Sequence, residues 1–216
     1  MIATFARSRH DFHSKFQSKF KVQLQPALRF KRYSGFQLIE LLAVLAITAI
    51  LTVVAVPSFQ NLHQRHKATA TINQLLGHLQ HARTHALATE QYISVCAYSG
   101  IATCGEDWSR GLYIFLDPEV NGEIEQPEQI IRQYARATDA ATIAFNAALS
   151  AKYISYTPQG TSARKNSGGN IVYCSEAGET KHSKVIIFYR TGRAYLGPDK
   201  NDNGIPENGS GDDINC

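Results

Sequence analysis

The longest run of apolar positions in the chain extends from residue 38 to residue 56. It contains one charged side chain, Glu40, and no Gly or Pro before Pro57. At a helical rise of about 1.5 Å per residue, the run would span roughly 28 Å, enough to cross the hydrocarbon core of a membrane. A soluble helix of this length would show a polar stripe, and this run shows none. The pattern therefore predicts a transmembrane helix.

After Pro57 the apolar positions become confined to one face of a helix. Between residues 58 and 91 they recur mostly at steps of three and four, which is typical of an amphipathic helix with one buried side. The members of this face are Phe59, Leu62, Ile72, Leu75, Leu76, Leu79, Ala82 and Ala86. We expect the helix to continue to about residue 89, although Gly77 costs it about 1 kcal/mol relative to Ala.

From residue 92 onward the periodicity is that of short strands separated by turns. β-Branched and aromatic residues fill the strand segments, and Gly, Pro, Asn and Asp lie between them. The predicted strands are residues 92–98, 111–116, 129–134, 142–145, 153–157, 171–174 and 185–189, with 193–196 as an extension of the last. One long helix followed by a mostly antiparallel sheet system is an α+β fold.

Charge divides the chain into a basic beginning and a mildly acidic remainder. Residues 1–35 hold eight Lys and Arg against one acid, whereas the remaining residues hold 14 Lys and Arg against 17 Asp and Glu. Cationic segments beside a membrane span stay on the cytoplasmic side. A mitochondrial presequence would also be basic, but the apolar span follows this segment at once. We therefore interpret residues 1–35 as a leader that takes no part in the fold.

Glu40 is the one charge inside the apolar span, where a carboxylate is costly and is by default functional or paired. Before it stand the basic leader, Gly35, Phe36 and three further residues. This order resembles the processing site of type IV pilins and type II secretion pseudopilins. The resemblance implies that a prepilin peptidase cleaves between Gly35 and Phe36 and methylates the new amino terminus of Phe36. It also implies that Glu40 supports assembly with other pilins or pseudopilins.

A second set of residues extends the resemblance into the strand-rich region. The order Cys104, Trp108, Gly111, Phe115, Asp117, Asn121-Gly122, followed later by Tyr156, Gly160 and Val172-Tyr173-Cys174, resembles the head of GspH/FimT-type minor pilins and pseudopilins. We expect Trp108 to be a core anchor. The implied domains are a cleaved leader (1–35), a transmembrane and filament-core helix (36–57), its amphipathic continuation (58–91) and a β-rich head with a disulfide-tied tail (92–216).

The resemblance also implies a place in the cell. The chain would be a single-pass protein of the bacterial inner membrane with its head in the periplasm, and would then enter a pilus or a pseudopilus. It would not be an enzyme, and no nucleophile-elbow, H-E-x-x-H or phosphate-loop pattern occurs in the sequence. Type IV pilus and type II secretion system both stay open at this point.

All four cysteines follow the apolar span, on the predicted exported side. An even number there predicts two disulfides. Of the three possible pairings we favour the nearest-neighbour one, Cys96–Cys104 and Cys174–Cys216. Chain-entropy estimates for these loops are about 2.5 and about 4 kcal/mol. The cysteines lack the C-x-x-C spacing of a metal site, and His78, His81 and His85, which share a helix face, are expected to be a solvated polar surface.

A late basic segment carries a hypothesis of DNA binding. Some FimT-type members use a Gly-Arg-x-Arg element to bind DNA, and here the matching residues read Gly192-Arg193-Ala194-Tyr195. The predicted contact residues are Lys181, Lys184, Arg190, Gly192 and Arg193. Cations for phosphates and tyrosines for bases suit nucleic acid. The alternative is a solvated strand edge, on which Lys and Arg discourage aggregation.

The tail carries a weaker hypothesis of calcium binding. Asp199, Asn201 and Asn203 alternate before Gly204, as oxygen ligands do in calcium loops. The twelfth loop position is Ser210 instead of a bidentate Glu. We favour the alternative, a flexible polar tail held by Cys216, and predict no other cofactor.

Overall fold

The computed structural model of the protein describes residues 37–136, 141–147, 152–164, 168–175 and 180–216. It begins with one helix, α1 (Leu38–Thr89), which contains Pro57. The chain divides into two compact units, with the boundary between Thr48 and Ala49. The first unit contributes the beginning of α1, and the second contains the rest of the helix and every strand described. By length and composition α1 could cross a membrane, and none of its most apolar window is buried.

Nine strands follow α1 in the described ranges, and every pairing between them is antiparallel. They are β1 (Ile93–Tyr98), β2 (Cys104–Gly105), β3 (Gly111–Leu116), β4 (Ile130–Ala135), β5 (Thr142–Ala147), β6 (Tyr153–Tyr156), β7 (Gly169–Cys174), β8 (Lys184–Phe188) and β9 (Ala194–Leu196). In the first sheet β1 pairs with β3 on one side and with β6 and β2 on the other, while β4 flanks β3. The second sheet has the order β5-β7-β8-β9. The predicted α+β fold is confirmed.

The second half of α1 packs on the sheets through a narrow apolar stripe. Its buried residues, which follow one another at alternating steps of four and three positions, are Ala68, Ile72, Leu75, Leu79, Ala82 and Ala86. They join side chains from both sheets in one core. Each large apolar side chain buried in this way contributes about 1.5–3 kcal/mol. Trp108 lies in the same core, 3% exposed, with its ring stacked on Phe145 at 4.6 Å. The expectation that Trp108 anchors the core is confirmed.

One strand prediction is wrong. Residues 193–196 do not extend the preceding strand, because β9 is a separate strand that runs back along β8, with Ile187 opposite Tyr195. The chain reverses through a turn in which the Gly192 N–H donates to the Tyr189 carbonyl at 2.9 Å. Gly192 has a φ of +74°, a backbone conformation that glycine adopts without steric cost. The sequence also did not predict the two-residue strand β2.

The tail packs on the outer face of the second sheet. Ile205 and Ile214 cover an apolar cluster that contains Val172, Val185 and Ile187. The Cys174–Cys216 disulfide, with a Cα–Cα distance of 5.7 Å, fixes the end of the tail beside this cluster. The second disulfide joins Cys96 to Cys104 at a Cα–Cα distance of 5.5 Å. These are the nearest-neighbour pairings that the sequence favours.

Candidate functional site

The predicted processing and assembly residues fall at the start of α1. Gly35 and Phe36 lie outside the described residues. Glu40 is in the first turn of the helix, where its backbone N–H donates to the Gln37 carbonyl at 2.9 Å. Its side chain is exposed, as are the apolar side chains that follow it up to Val56. A helix with such a surface requires an apolar environment around it.

The motif that includes Asp117 has a structural explanation. Asp117 is 1% exposed, and its carboxylate accepts hydrogen bonds from the Ser94 hydroxyl at 2.6 Å and from the backbone N–H groups of Asn121 and Gly122 at 3.1 and 3.0 Å. The bonds satisfy the buried charge and fix the loop after β3. Gly122 is required there, because a Cβ atom on it would lie 2.2 Å from the Tyr153 ring.

The residues predicted to bind DNA divide into two places. Arg190, Gly192 and Arg193 lie together in the turn between β8 and β9, and both arginines are exposed. Lys184 begins β8, at the far end of that strand from the turn, which is about 13 Å away at 3.3 Å per residue. Lys181 lies in the short 3-10 helix Thr180–His182. The structure therefore brings the Gly192-Arg193 pair near Arg190 and leaves Lys184 apart.

Two tyrosines flank this turn and form an exposed aromatic pair. The rings of Tyr189 and Tyr195 are stacked with their centroids 5.7 Å apart, and the Tyr195 hydroxyl donates to the Tyr189 hydroxyl at 2.9 Å. The hydrogen bond to Tyr189 raises the pKa of Tyr195. The two side chains are 42% and 39% exposed, so their rings are accessible to a ligand.

Arg83 of α1 also lies at this turn, and the sequence did not point to it. Its Nε donates to the Gly160 carbonyl at 2.7 Å, a contact between residues 77 positions apart. Gly192 packs on the same carbonyl so closely that a Cβ atom there would lie 2.0 Å from the oxygen. Arg83 and Arg193 line one cavity of about 340 Å³. Burial raises the pKa of Tyr156 in that cavity, and the nearby Arg83 charge opposes the rise.

The oxygen atoms of the predicted calcium loop are mostly occupied by the loop itself. Asp199 Oδ2 accepts from the Gly204 N–H at 2.8 Å, Asn201 Oδ1 accepts from the Asn203 N–H at 3.0 Å, and Asn203 Oδ1 accepts from the Ile205 N–H at 2.8 Å. Among the side-chain oxygens of Asp199, Asn201 and Asn203, Asp199 Oδ1 is the one that is buried without a hydrogen bond. In the part of the chain that the structure covers, no three His, Cys, Asp or Glu side chains form a metal site. Calcium binding stays a prediction.

The expectation that His78, His81 and His85 form a solvated surface is wrong. All three are half-buried, because this flank of α1 lies against the head. The His78 ring stacks on Tyr134 of β4 with a centroid distance of 3.6 Å. Burial lowers the pKa of His78, and the neighbouring His81 lowers it further.

Comparison with known proteins relates most of the second unit to one family. The profile of the family described as type II transport protein GspH matches residues 71–192, more than half of the chain. Two crystal forms of the type IV minor pilin FimU of Pseudomonas aeruginosa are similar at 22% identity, with TM-scores of 0.48 and 0.46. They cover 62% and 60% of this chain and 90% and 92% of their own.

The minor pseudopilin EpsH of the type 2 secretion system of Vibrio cholerae is similar at 12% identity, with a TM-score of 0.42. The similarity covers 60% of this chain and 94% of that one. No significant match was found among curated proteins.

Proposed function

Because the chain belongs to the family of the type II transport protein GspH, we propose that it is a non-enzymatic, minor pilin-like subunit that is assembled into a type IV pilus. A prepilin peptidase would remove residues 1–35 and methylate Phe36. The subunit would wait in the bacterial inner membrane with its head in the periplasm, and its partners would be other pilins. Assembly as a minor pseudopilin of a type II secretion system is the alternative within the same family.

The observation that carries the proposal is the change of surface along α1. The helix is uncovered and apolar from Leu38 to Val56, and its later part packs on the head through one stripe. A helix of this kind can exchange the lipid around its first part for neighbouring helices of the same kind, while the head stays folded.

Glu40 would fix the position at which α1 of one subunit docks against α1 of its neighbour. In a filament core the carboxylate could pair with the positively charged amino terminus of Phe36 in a neighbouring subunit. A charge buried without its partner is strongly destabilising, so subunits that dock out of register would be rejected. No residue in the described ranges is paired with the Glu40 carboxylate.

Mass spectrometry of filaments sheared from the cell surface tests the proposal. We expect the chain to be present there in a form that begins at N-methylated Phe36. The membrane fraction of a strain without prepilin peptidase, used as the control, should contain the uncleaved chain. A chain found only uncleaved, or absent from surface filaments and needed instead for secretion of exoproteins, would contradict a role in a pilus.

A second proposed function is contact with DNA by the head. It is favoured by the exposed side chains of Arg190 and Arg193, which lie in sequence between Tyr189 and Tyr195, two residues whose rings stack on each other. The mature chain is mildly acidic, so contact would depend on this local group of cations and not on overall charge.

Calcium binding by Asp199, Asn201 and Asn203 is a separate proposal that rests on their spacing. A rise in melting temperature on adding calcium, reversed by a chelator, would support it.

A further inference from the structure

One end of the second sheet meets α1 close to the point where the apolar run stops. His182, which is buried, forms a hydrogen bond through Nε2 with Asn61 Oδ1 at 3.3 Å. The run ends at Val56, so Asn61 follows it by roughly 7.5 Å along the helix at about 1.5 Å per residue. The headgroup layer on each side of a bilayer is roughly 5–8 Å deep. A membrane around the apolar run would therefore bring its headgroups to this end of the head.

Lys184 carries its charge on the side of the sheet that faces α1. It follows His182 by two positions and lies directly opposite Tyr173 where β7 and β8 pair. Opposite residues of an antiparallel pair place their side chains on the same face of the sheet, and Tyr173 is buried in the core that includes α1. Tyr173 also lines a cavity of about 380 Å³ together with Lys67 and other polar residues of α1, and no acidic side chain of the described residues lines it.

At the same level α1 adds a cation and two apolar side chains. Arg65 is exposed one turn after Asn61, and Phe59 and Leu62 are exposed on either side of Asn61. In the part of the chain that the structure describes, neither Arg65 nor Lys184 has an ion-pair partner. Uncovered apolar side chains next to cations are typical of a surface that lies at the membrane interface.

The sequence that forms this end of the head is basic, although the mature chain as a whole is mildly acidic. Two acids, Glu176 and Glu179, precede the 3-10 helix and lie outside the described residues. They are outnumbered by the cations Arg65, Lys67, Lys181 and Lys184. The excess of positive charge favours a negatively charged partner, and the place beside the apolar run favours a partner that is part of the membrane.

We propose that this end of the head docks on the headgroups of anionic phospholipids while the subunit is in the membrane. We call it the basal surface and define it by Phe59, Leu62, Arg65 and Lys184. The inference rests on the membrane insertion in the proposed function and adds the class of lipid. Arg65 and Lys184 attract the lipid phosphates, and Phe59 and Leu62 enter the boundary of the hydrocarbon core.

The melting temperature of the full chain in lipid nanodiscs, followed by Trp108 fluorescence, tests the docking. Discs of phosphatidylcholine alone are compared with discs that contain about a third phosphatidylglycerol. We expect the wild type to melt about 4–8 °C higher with phosphatidylglycerol, and Arg65→Gln and Lys184→Gln each to lose about 2–4 °C of that difference. Added salt should reduce the difference, because it screens the attraction between the cations and the lipid phosphates.

Arg132→Gln is the matched control and should keep the full difference. Arg132 is exposed on β4, two residues before Tyr134. The Tyr134 ring stacks on His78, which lies roughly 25 Å along α1 from Asn61. Should Lys184→Gln fail to fold, Lys184→Arg keeps the charge and should retain the full difference. Loss of the difference in a folded Lys184→Arg would overturn the role of charge at this position.

The remaining outcomes separate the docking from membrane insertion itself. Equal melting temperatures of the wild type in both kinds of disc would overturn the docking and leave membrane insertion standing. A chain that enters neither kind of disc would overturn both. A difference that Arg65→Gln and Lys184→Gln leave unchanged, or that Arg132→Gln reduces equally, would overturn the assignment to the basal surface. Glycerol 3-phosphate that raises the melting temperature equally in phosphatidylcholine discs would show binding of a free anion and overturn the lipid as partner.

Discussion

At the scale of single residues, the contact of His78 in α1 with Tyr134 makes the stability of the fold depend on pH. Its ring lies half-buried on Tyr134, and burial together with His81 lowers its pKa from 6.5. The unfolded chain therefore binds more protons than the folded chain once the pH falls below about 6.5. The stabilisation that neutral His78 provides is complete above that pH and is lost as the pH falls through the folded pKa.

We therefore expect His78→Gln to reduce the loss of melting temperature between pH 7 and pH 5. The melting temperature is followed by fluorescence of Trp108, the one tryptophan in the chain. His66→Gln is the control, because His66 is exposed on the same helix. An equal pH dependence in wild type and His78→Gln would show that the half-buried His78 does not control acid stability.

Gly192 is the residue on which the turn beside Arg193 depends. Its φ is +74°, and a Cβ atom would lie 2.0 Å from the Gly160 carbonyl oxygen. Gly192→Ala should lower the free energy of unfolding by about 2–4 kcal/mol, since backbone strain and a steric clash act together. Gly204→Ala is the matched control: it has a φ of +85° but no atom within 4 Å, so it should cost only about 1–2 kcal/mol. Equal losses would contradict the close approach.

At the scale of secondary structure elements, α1 contains a glycine that lowers the stability of the helix. Gly77 is exposed in the helix, and a Cβ atom there would meet nothing within 4 Å. Gly77→Ala should raise the free energy of unfolding by about 1 kcal/mol, because alanine has less conformational freedom to lose. Chemical denaturation of the detergent-solubilised chain measures the change. A destabilised variant would mean that Gly77 has a contact outside this chain or a role in bending the helix.

The tail and the second sheet form a unit that the disulfide Cys174–Cys216 holds together. This bond closes 42 residues, whereas Cys96–Cys104 closes eight. Replacing Cys174 and Cys216 by alanine should lower the free energy of unfolding by about 4 kcal/mol. Replacing Cys96 and Cys104 by alanine should lower it by about 2.5 kcal/mol. The tail also covers Val172, Val185 and Ile187, so its release should expose an apolar surface. Chemical denaturation, followed with a dye that binds apolar surface, distinguishes the two double variants. A larger loss of stability on removing Cys96–Cys104 than on removing Cys174–Cys216 would contradict the predicted order.

At the scale of the whole molecule, the sequence predicts those helices and strands whose bounds follow from the local periodicity of apolar residues. The change from an uninterrupted apolar run to a one-sided stripe predicts the end of α1 at Thr89, and alternation with turns predicts most strands. The contact of Arg83 with Gly160 spans 77 residues and follows from no such pattern. The separation of Lys184 from Arg193 depends on how β8 and β9 pair, which proximity in sequence does not reveal. The packing of the tail on the second sheet likewise depends on tertiary contacts that no local sequence pattern predicts.

The proposed role of Glu40 in assembly of a processed subunit is tested by the amount of a Glu40→Ala variant in surface filaments relative to the membrane. Glu119→Ala, which removes an exposed acid from the head, is the control. We predict that Glu40→Ala is cleaved normally but is at least about tenfold depleted from filaments, as expected when one partner of a buried ion pair is lost. Incorporation equal to that of Glu119→Ala would show that Glu40 does not direct assembly.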